Sequence, residues 1–272
     1  RCFATRDRMI LKQHIFSYWD GPVSWLERLS VASILAHGHS LTVYSYYPEE
    51  LAKLDLHSDI RDAREIIPES DNSYRYIPAK RYTLFTNIFR LVGQMQSIGL
   101  WVDLDCIFLK PCELEDDYVF GWLSDVKLNG AVLKLPADAA MTKDYYSGIS
   151  ADPLRTPWST LRRRLYREFE IRIGRTEPSL TTRTNIGPRA LTYYATRHDK
   201  MSCAQDKAVF YPLRSGEAPH LTTPDDSFAK KSVTEKTILM HAWQGRLKRE
   251  NCLEGRPVVS SYLGQYCAKY DI

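Results

Sequence analysis

A strand–helix–strand pattern near the start of the chain constrains the fold more than any other feature. Residues 14–19 form an apolar, aromatic strand that a Gly-Pro turn follows. Ser24 and Glu27 then form a capping box, after which apolar side chains recur at helical spacing up to Gly38. Residues 41–46 are a second strand of β-favouring side chains. Because parallel strands need such a crossover, the pattern predicts a parallel sheet.

A second unit of the same kind leads to the most informative segment of the chain. Apolar spacing predicts a helix over residues 82–98 that Gly99 ends. Residues 99–111 then read Gly-Leu-Trp-Val-Asp-Leu-Asp-Cys-Ile-Phe-Leu-Lys-Pro. The remaining predicted elements are strands at residues 129–135 and 237–240 and helices at residues 156–173 and 187–197. We therefore predict an α/β protein whose mixed, mostly parallel sheet is flanked by helices.

The composition excludes several classes of protein. A chain of 272 residues with 44% hydrophobic side chains can build one large domain. A net charge of +4 is too small to indicate a nucleic-acid partner. No apolar run approaches the roughly 18 residues of a membrane span, and the charged N-terminus does not resemble a signal peptide. The six cysteines lack metal or disulfide spacing, so we expect reduced thiols in a cytoplasmic protein.

Asp103 and Asp105 are the candidate functional residues of the second unit. In extended backbone, residues two apart point to the same side, so the two carboxylates are expected side by side. Adjacent like charges are costly unless a cation lies between them, and oxygen ligands suit Mg²⁺ or Mn²⁺. Such metals commonly complete their coordination with substrate phosphates. Aspartates can also simply end a strand, but the helix, glycine and apolar strand before them favour a nucleotide-diphosphate site.

The segments Phe-Thr-Asn-Ile-Phe-Arg at residues 85–90 and Gly-Leu-Trp-Val-Asp-Leu-Asp at residues 99–105 resemble the sugar-binding D-x-D region of glycosyltransferase family 32. This family includes bacterial capsule and lipopolysaccharide glycosyltransferases, and the clostridial toxin glucosyltransferases are more distant. The match extends over residues 15–111, with weaker similarity at residues 185–191 and 241–243. The resemblance implies a Rossmann-like fold of the GT-A type.

The resemblance also implies a function. It indicates a retaining hexosyltransferase that moves a sugar from a UDP-sugar donor to a hydroxyl of a glycan or lipid-linked saccharide, in capsule, lipopolysaccharide or related polysaccharide synthesis. Mn²⁺ or Mg²⁺ is the implied cofactor. The whole chain, residues 1–272, would be a single domain. Residues 1–111 would bind the nucleotide sugar, and residues 112–272 would complete the acceptor half.

Further roles follow from the same resemblance. Asp105 is expected to bind the metal, Asp103 the metal or the ribose, and His241 to complete the metal site. Arg90 is expected to contact donor oxygens, and Asn87, where many relatives have Asp, to contact the sugar. These assignments make Asp105 and Arg90 catalytic residues. Alternatively, Asn87 and Arg90 belong to a solvated face of their helix, and His241 has a structural role.

The first strand and a late loop supply the other expected contacts. Phe16, Tyr18 and Trp19 match the strand that receives the uracil ring, with Trp19 the principal stacking partner and core packing its alternative. Asn185, predicted to be catalytic, and Gly187 belong to a Gly-Pro loop near the reaction centre. The glycine would allow close backbone approach, and the helix start would favour negative charge. An ordinary helix start explains the same residues.

Three other interpretations remain open. A haloacid-dehalogenase-like phosphatase would use Asp103 as its nucleophile and the Asp-Asp pair after Pro224 as its later acidic motif, although no matching Ser/Thr and Lys strands occur. A second alternative is a non-catalytic nucleotide-sugar binder. The third concerns the arginine-rich helix predicted at residues 156–173. Either this helix has one packed and one solvated face, or it associates peripherally with the inner face of an anionic cell membrane.

Overall fold

The computed structural model describes residues 12–68, 82–151, 153–175 and 186–272. The strands are β1 (His14–Tyr18), β2 (Ser40–Ser45), β3 (Asp59–Asp62), β4 (Leu100–Val102), β5 (Cys106–Phe108), β6 (Val119–Ser124), β7 (Lys127–Lys134) and β8 (Leu239–His241). The α-helices are α1 (Trp25–Ala36), α2 (Pro48–Ala52), α3 (Tyr82–Met95), α4 (Ala140–Ser150), α5 (Leu161–Arg172), α6 (Pro188–Arg197), α7 (Lys207–Phe210), α8 (Ser227–Ser232), α9 (Gln244–Arg249) and α10 (Tyr262–Lys269).

Six strands form the central sheet in the order β3-β2-β1-β4-β7-β6. The pairs β2–β3, β1–β2 and β1–β4 are parallel, whereas β7 runs antiparallel to both of its neighbours. Five of the six strands therefore point the same way. Strands β5 and β8 form a separate antiparallel pair. The predicted fold class, a mixed and mostly parallel sheet flanked by helices, is confirmed.

The first strand–helix–strand unit forms as its sequence predicts. The Ser24 hydroxyl accepts a hydrogen bond from the Leu26 amide at 3.2 Å, and Glu27 accepts one from the Ser24 amide at 2.6 Å. This capping box satisfies amides that have no partner within the helix. Side chains of β1 alternate between the two sheet faces, with Phe16 packed against α3 and Ile15 packed against α1. Both faces of the sheet are therefore covered.

Helix α3 ends earlier than its apolar pattern predicts, and Gly99 has a different role from the expected helix stop. The last helical residue is Met95, and Ser97 adopts a left-handed conformation with φ 56°. Gly99 has φ 153°, and a Cβ atom there would collide with the carbonyl of His14. The glycine therefore allows the start of β4 to approach β1, and the two strands pair at Leu100 and Ile15.

The two aspartates lie in a turn, not in the extended backbone that was expected to place their carboxylates side by side. Strand β4 ends at Val102, and β5 begins at Cys106 after a turn at residues 103–105. The second strand leaves the central sheet and pairs with β8 instead. Strand β3, which has polar and half-exposed side chains, was also not predicted, because such an edge strand lacks an apolar signal.

The strands predicted at residues 129–135 and 237–240 and the helices predicted at residues 156–173 and 187–197 form, and they differ from the predictions mainly at their ends. The sequence did not predict α2, β6, α4 or α7 to α10. Helix α5 begins at Leu161 rather than at residue 156, and α6 begins at Pro188 with Gly187 as its N-cap. The five cysteines within the described residues are free thiols. Within the same residues, no helix combines the length and the apolar character needed to cross a membrane.

Candidate active site

A cleft of about 400 Å³ opens at the carboxyl ends of β1 and β4. The chain runs outward from β1 through β2 to β3 and then returns to β4 on the other side of β1. Open α/β sheets bind ligands at this kind of topological switch point. The lining residues that concern the site are Ser17, Tyr18, Trp19, Arg90, Trp101, Asp103, Asp105, Gln244 and Lys248.

Asp103 is held at the end of β4 by two donors. Its Oδ1 accepts hydrogen bonds from Trp101 Nε1 at 2.6 Å and from Arg90 Nη2 at 3.1 Å. Burial raises the pKa of Asp103, and the positive charge of Arg90 opposes this rise without cancelling it. The second oxygen of the carboxylate accepts no hydrogen bond from the described part of the chain. One oxygen is therefore committed to the fold and the other is available to a ligand.

Arg90 is buried, and every nitrogen of its guanidinium has a partner within the protein. Nε donates to the carbonyl of Thr86 at 3.4 Å, Nη1 donates to the carbonyl of Gly130, and Nη2 binds Asp103. The guanidinium also lies 5.0 Å from the centre of the Trp101 ring. These contacts fix the carboxylate of Asp103 and leave the arginine little capacity to bind a ligand directly.

Asp105 is brought to His241 by the pairing of β5 with β8. The register places Cys106 opposite His241, and Asp105 Oδ1 lies 3.2 Å from the histidine Nε2. Asp105 Oδ2 accepts a hydrogen bond from the Gln244 amide at 2.8 Å. The histidine Nδ1 is buried and has no hydrogen-bond partner among the described residues. The site thus joins residues that are far apart in the sequence.

The charges of Asp105 and His241 stabilise one another. Burial alone would raise the pKa of Asp105, but the charge and hydrogen bond of His241, together with the Gln244 amide, bring that pKa below its usual value. Burial alone would lower the pKa of His241, but Asp105 and, more weakly, Asp103 bring it above its usual value. His241 therefore binds its proton more tightly than an ordinary histidine does, and a cation that binds Nε2 would have to displace that proton.

The donor set fits a divalent metal ion. Ligand atoms of Asp105, Cys106 and His241 all lie within 4.8 Å of one another. Adjacent ligands of an octahedral ion with bonds of about 2.1 Å are about 3.0 Å apart, which is close to the 3.2 Å between Asp105 and His241. Burial raises the pKa of the Cys106 thiol well above its usual value, so this residue stays protonated and suits neither Mg²⁺ nor Mn²⁺. Asp103 does not belong to this tight group.

The segment after β8 contributes residues that sequence reasoning missed. Trp243 has a left-handed backbone, with φ 58°, and its indole donates to the carbonyl of Leu213 at 3.0 Å. This turn starts α9 so that the Gln244 amide meets Asp105 and Lys248 lines the cleft. Lys248 is exposed and has no carboxylate partner among the described residues. Lys248 lies four residues after Gln244, on the same face of α9, and this spacing is the sequence signal that could have identified it.

Buried polar groups also point to a ligand. The Ser17 hydroxyl is buried in the lining of the cleft and has no hydrogen-bond partner among the described residues. A buried polar group without a partner is costly, so such groups commonly bind water or ligand. Half-buried Trp19 lines the same cleft and also a neighbouring cavity of about 260 Å³. The aromatic face and the hydroxyl together suit a flat heterocycle or a sugar.

The structure brings together most of the predicted site residues. Those that line the cleft are Tyr18, Trp19, Arg90, Asp103 and Asp105, and His241 joins them through Asp105. The Tyr18 hydroxyl donates to Asp20 at 2.6 Å, so this tyrosine also serves the fold.

Three predicted residues lie elsewhere. Phe16 is fully buried and packs edge-on against Trp101 at 5.3 Å, so its ring belongs to the core and does not face the cleft. Asn87 is buried and does not line the cleft, and Gly187 caps α6 and accepts a hydrogen bond from Tyr145 at 3.4 Å. Asn185 lies outside the described residues.

The geometry does not favour the phosphatase interpretation. Asp225 accepts a hydrogen bond from the Ser227 amide at 2.9 Å, and Asp226 pairs with Lys230 at 2.6 Å. Neither aspartate lines the cleft. The two aspartates that a phosphatase would need beside Asp103 therefore bind residues of their own segment instead of facing the cleft.

The fold and the cleft define an α/β protein with a carboxylate–histidine site at its switch point. No protein-family model matches the sequence, and no curated protein matches it. Among solved structures, the chain is similar to the PaToxG glycosyltransferase, with 12% identity, a TM-score of 0.49, and coverage of 69% of this chain and 70% of that chain. Membership of glycosyltransferase family 32 stays a prediction.

Proposed function

We propose that the protein is a metal-dependent glycosyltransferase that uses a nucleotide-sugar donor. The convergence of Asp105 and His241 at a switch-point cleft that also contains Asp103 is the observation that carries this proposal. The cleft volume, about 400 Å³, lies in the range of small-molecule sites. The expected UDP-sugar donor, glycan or lipid-linked acceptor and role in polysaccharide synthesis come from the family resemblance and belong to the same proposal.

Asp105 and His241 would hold the metal, and the second oxygen of Asp103 would bind the metal or the donor ribose. A bound Mn²⁺ or Mg²⁺ would stabilise negative charge on the departing diphosphate as a Lewis acid. Lys248 would add a second cation for the same diphosphate, because it is exposed at the cleft and has no carboxylate partner among the described residues. This role places a donor contact in residues 112–272, beyond the half predicted to bind the nucleotide sugar.

The protein contacts of Arg90 support a positioning role rather than direct donor binding. Its three nitrogens are committed to Thr86, Gly130 and Asp103. The arginine would therefore hold Asp103 in place and lower the cost of its charge. Trp19 would stack on the nucleobase, and the Ser17 hydroxyl would bind the base or the ribose.

The proposed mechanism is a front-face displacement with retention. Double displacement needs a carboxylate nucleophile beneath the anomeric carbon. Of the carboxylates in the cleft lining, Asp103 and Asp105 are engaged at the metal site, and Asp20 accepts hydrogen bonds from Tyr18, Ser45 and the Tyr46 amide. In the front-face route, a diphosphate oxygen takes the proton of the acceptor hydroxyl as that hydroxyl attacks the sugar. No enzyme nucleophile is then required.

Calorimetry with UDP and a panel of UDP-sugars tests this function. We expect Mn²⁺-dependent binding in the micromolar range and none in EDTA. The Asp105→Asn variant should lose metal-dependent binding and sugar transfer, because it removes a charged ligand of the metal. Asp116→Asn, which changes a carboxylate outside the cleft, is the matched control. Absence of binding with and without metal, or full transfer activity in Asp105→Asn, would refute the proposal.

A further inference from the structure

The outward face of α5 carries a row of large apolar side chains. Leu161, Leu165 and Phe169 of the helix and Ile173 at its C-cap recur every four residues, and between 50% and 63% of each residue is exposed. Tyr166, beside them, is equally exposed. Residues four apart lie on one helix face, so the five side chains form a continuous stripe. A helix of a water-soluble domain normally turns such a stripe inward.

The face that α5 turns toward the protein is polar instead. Arg167 and Glu170 are the buried residues of this helix and lie 3.5 Å apart as an ion pair. Arg167 also donates to the carbonyls of Leu154 and Arg175, each at 2.9 Å. The helix is therefore attached through its charged residues, and its apolar stripe is left on the surface.

The exposed stripe is surrounded by positive charge. The exposed arginines of the helix are Arg162, Arg163, Arg164 and Arg172. None of them forms an ion pair with a carboxylate of the described residues. The two acidic residues of the helix are already neutralised, since Glu168 pairs with Arg155 at 3.0 Å and Glu170 pairs with Arg167. The net charge of this face is therefore strongly positive.

We propose that α5 lies flat on an anionic lipid surface. Apolar side chains would enter the boundary between headgroups and acyl chains, while the long arginine side chains would reach the lipid phosphates. A second copy of the chain fits this face poorly, because a two-fold contact would bring two arginine clusters together. The proposal does not depend on glycosyl transfer, and it is tested without any donor or metal.

Co-sedimentation of the full chain with lipid vesicles tests the proposal. We expect binding to vesicles of phosphatidylcholine mixed with phosphatidylglycerol, much weaker binding to phosphatidylcholine alone, and release by high salt. The double variant Arg162→Gln with Arg163→Gln should weaken binding roughly 25-fold, at about fivefold for each cation. Its matched control, Lys231→Gln with Lys236→Gln, removes the same charge from exposed positions away from α5 and should retain binding.

The apolar stripe has its own test. Leu161→Ser with Leu165→Ser should weaken binding by about tenfold or more, whereas Val258→Ser with Val259→Ser, at other exposed apolar positions, should not. All variants change exposed side chains, and thermal melts verify that they fold. Absence of binding to anionic vesicles, or an equal loss in the lysine control, would overturn the proposal. Self-association that the leucine variant abolishes, without vesicle binding, would instead assign the face to a second copy.

Discussion

Replacing Arg90 with methionine would remove the positive charge paired with Asp103 and keep most of the side-chain volume. The variant would leave the Asp103 carboxylate with one donor, the indole of Trp101, and would leave the carbonyl of Gly130 without its arginine donor. A destabilised fold is therefore expected even in the absence of any ligand.

The size of the effect follows from burial. Removing one partner of a buried ion pair costs roughly 3–5 kcal/mol. The side chain of Arg90 is 9% exposed and that of Asp103 is 28% exposed, so water in the cleft can partly solvate the remaining carboxylate. We therefore expect a cost at the lower end of this range, a decrease of about 3 kcal/mol in the free energy of unfolding near neutral pH.

The loss should depend on pH in a definite direction. Burial raises the pKa of Asp103, so the folded state binds this proton more tightly than the unfolded chain does. The ionised Asp103 carboxylate therefore destabilises the folded state fully at a pH above the pKa of Asp103 in the folded protein. This destabilisation is absent at a pH below the pKa of Asp103 in the unfolded chain. Without Arg90 the folded pKa rises further. The difference between Arg90→Met and the native protein should therefore be larger near neutral pH than at about pH 4.

Urea unfolding followed by tryptophan fluorescence measures both quantities. The double variant Arg90→Met with Asp103→Asn should be more stable near neutral pH than Arg90→Met alone, because it removes the unpaired charge. Arg246→Met is the matched control, since Arg246 pairs with Glu250 at 2.8 Å on the surface and should lose at most about 1 kcal/mol. A loss below about 1 kcal/mol in Arg90→Met, or one that does not change with pH, would refute the reasoning.

Two further substitutions examine other parts of the structure. Lys248→Gln should weaken metal-dependent UDP binding by about tenfold or more in calorimetry and leave stability unchanged, whereas Lys236→Gln should bind UDP normally; equal affinities would contradict the proposed diphosphate contact. Gly99→Ala should lower the free energy of unfolding by at least about 2 kcal/mol, because its φ is positive and its Cβ would meet the His14 carbonyl. Gly245→Ala, where a Cβ has open space and the residue is helical, should not lower the free energy of unfolding in the same urea titration, and an unaffected Gly99→Ala would refute the close-approach argument.

Local signals account for the parts of the fold that the sequence predicts. The capping box of Ser24 and Glu27 and the apolar spacing after it define α1, because each involves residues within one or two helical turns. The position of Asp103 at a strand end follows from the apolar run before it. These features also predict a candidate site at the carboxyl edge of a parallel sheet, and the cleft lies there.

Long-range register explains what the sequence could not reveal. The turn at residues 103–105 directs β5 away from the central sheet to pair with β8, and no local sequence pattern predicts that pairing. For the same reason, neither the bond from Arg90 to the Gly130 carbonyl nor the bond from the Gln244 amide to Asp105 could be predicted. Phe16 illustrates a different limit, because its ring is buried two residues before the end of β1, whereas Ser17 and Tyr18 at the end of the strand reach the cleft.

The site is assembled from two sheets, and this division has a consequence for its stability. The central sheet supports Asp103 at the end of β4, whereas the pair β5–β8 supports Asp105 and His241. Residues 241–249 supply the histidine, the amide that binds Asp105 and the cleft lysine. Loss of the pairing between β5 and β8 would therefore remove several ligand contacts together and leave the central sheet intact. If the site binds a metal as proposed, we expect variants that lose metal binding but keep the main fold to carry their substitutions in this short segment.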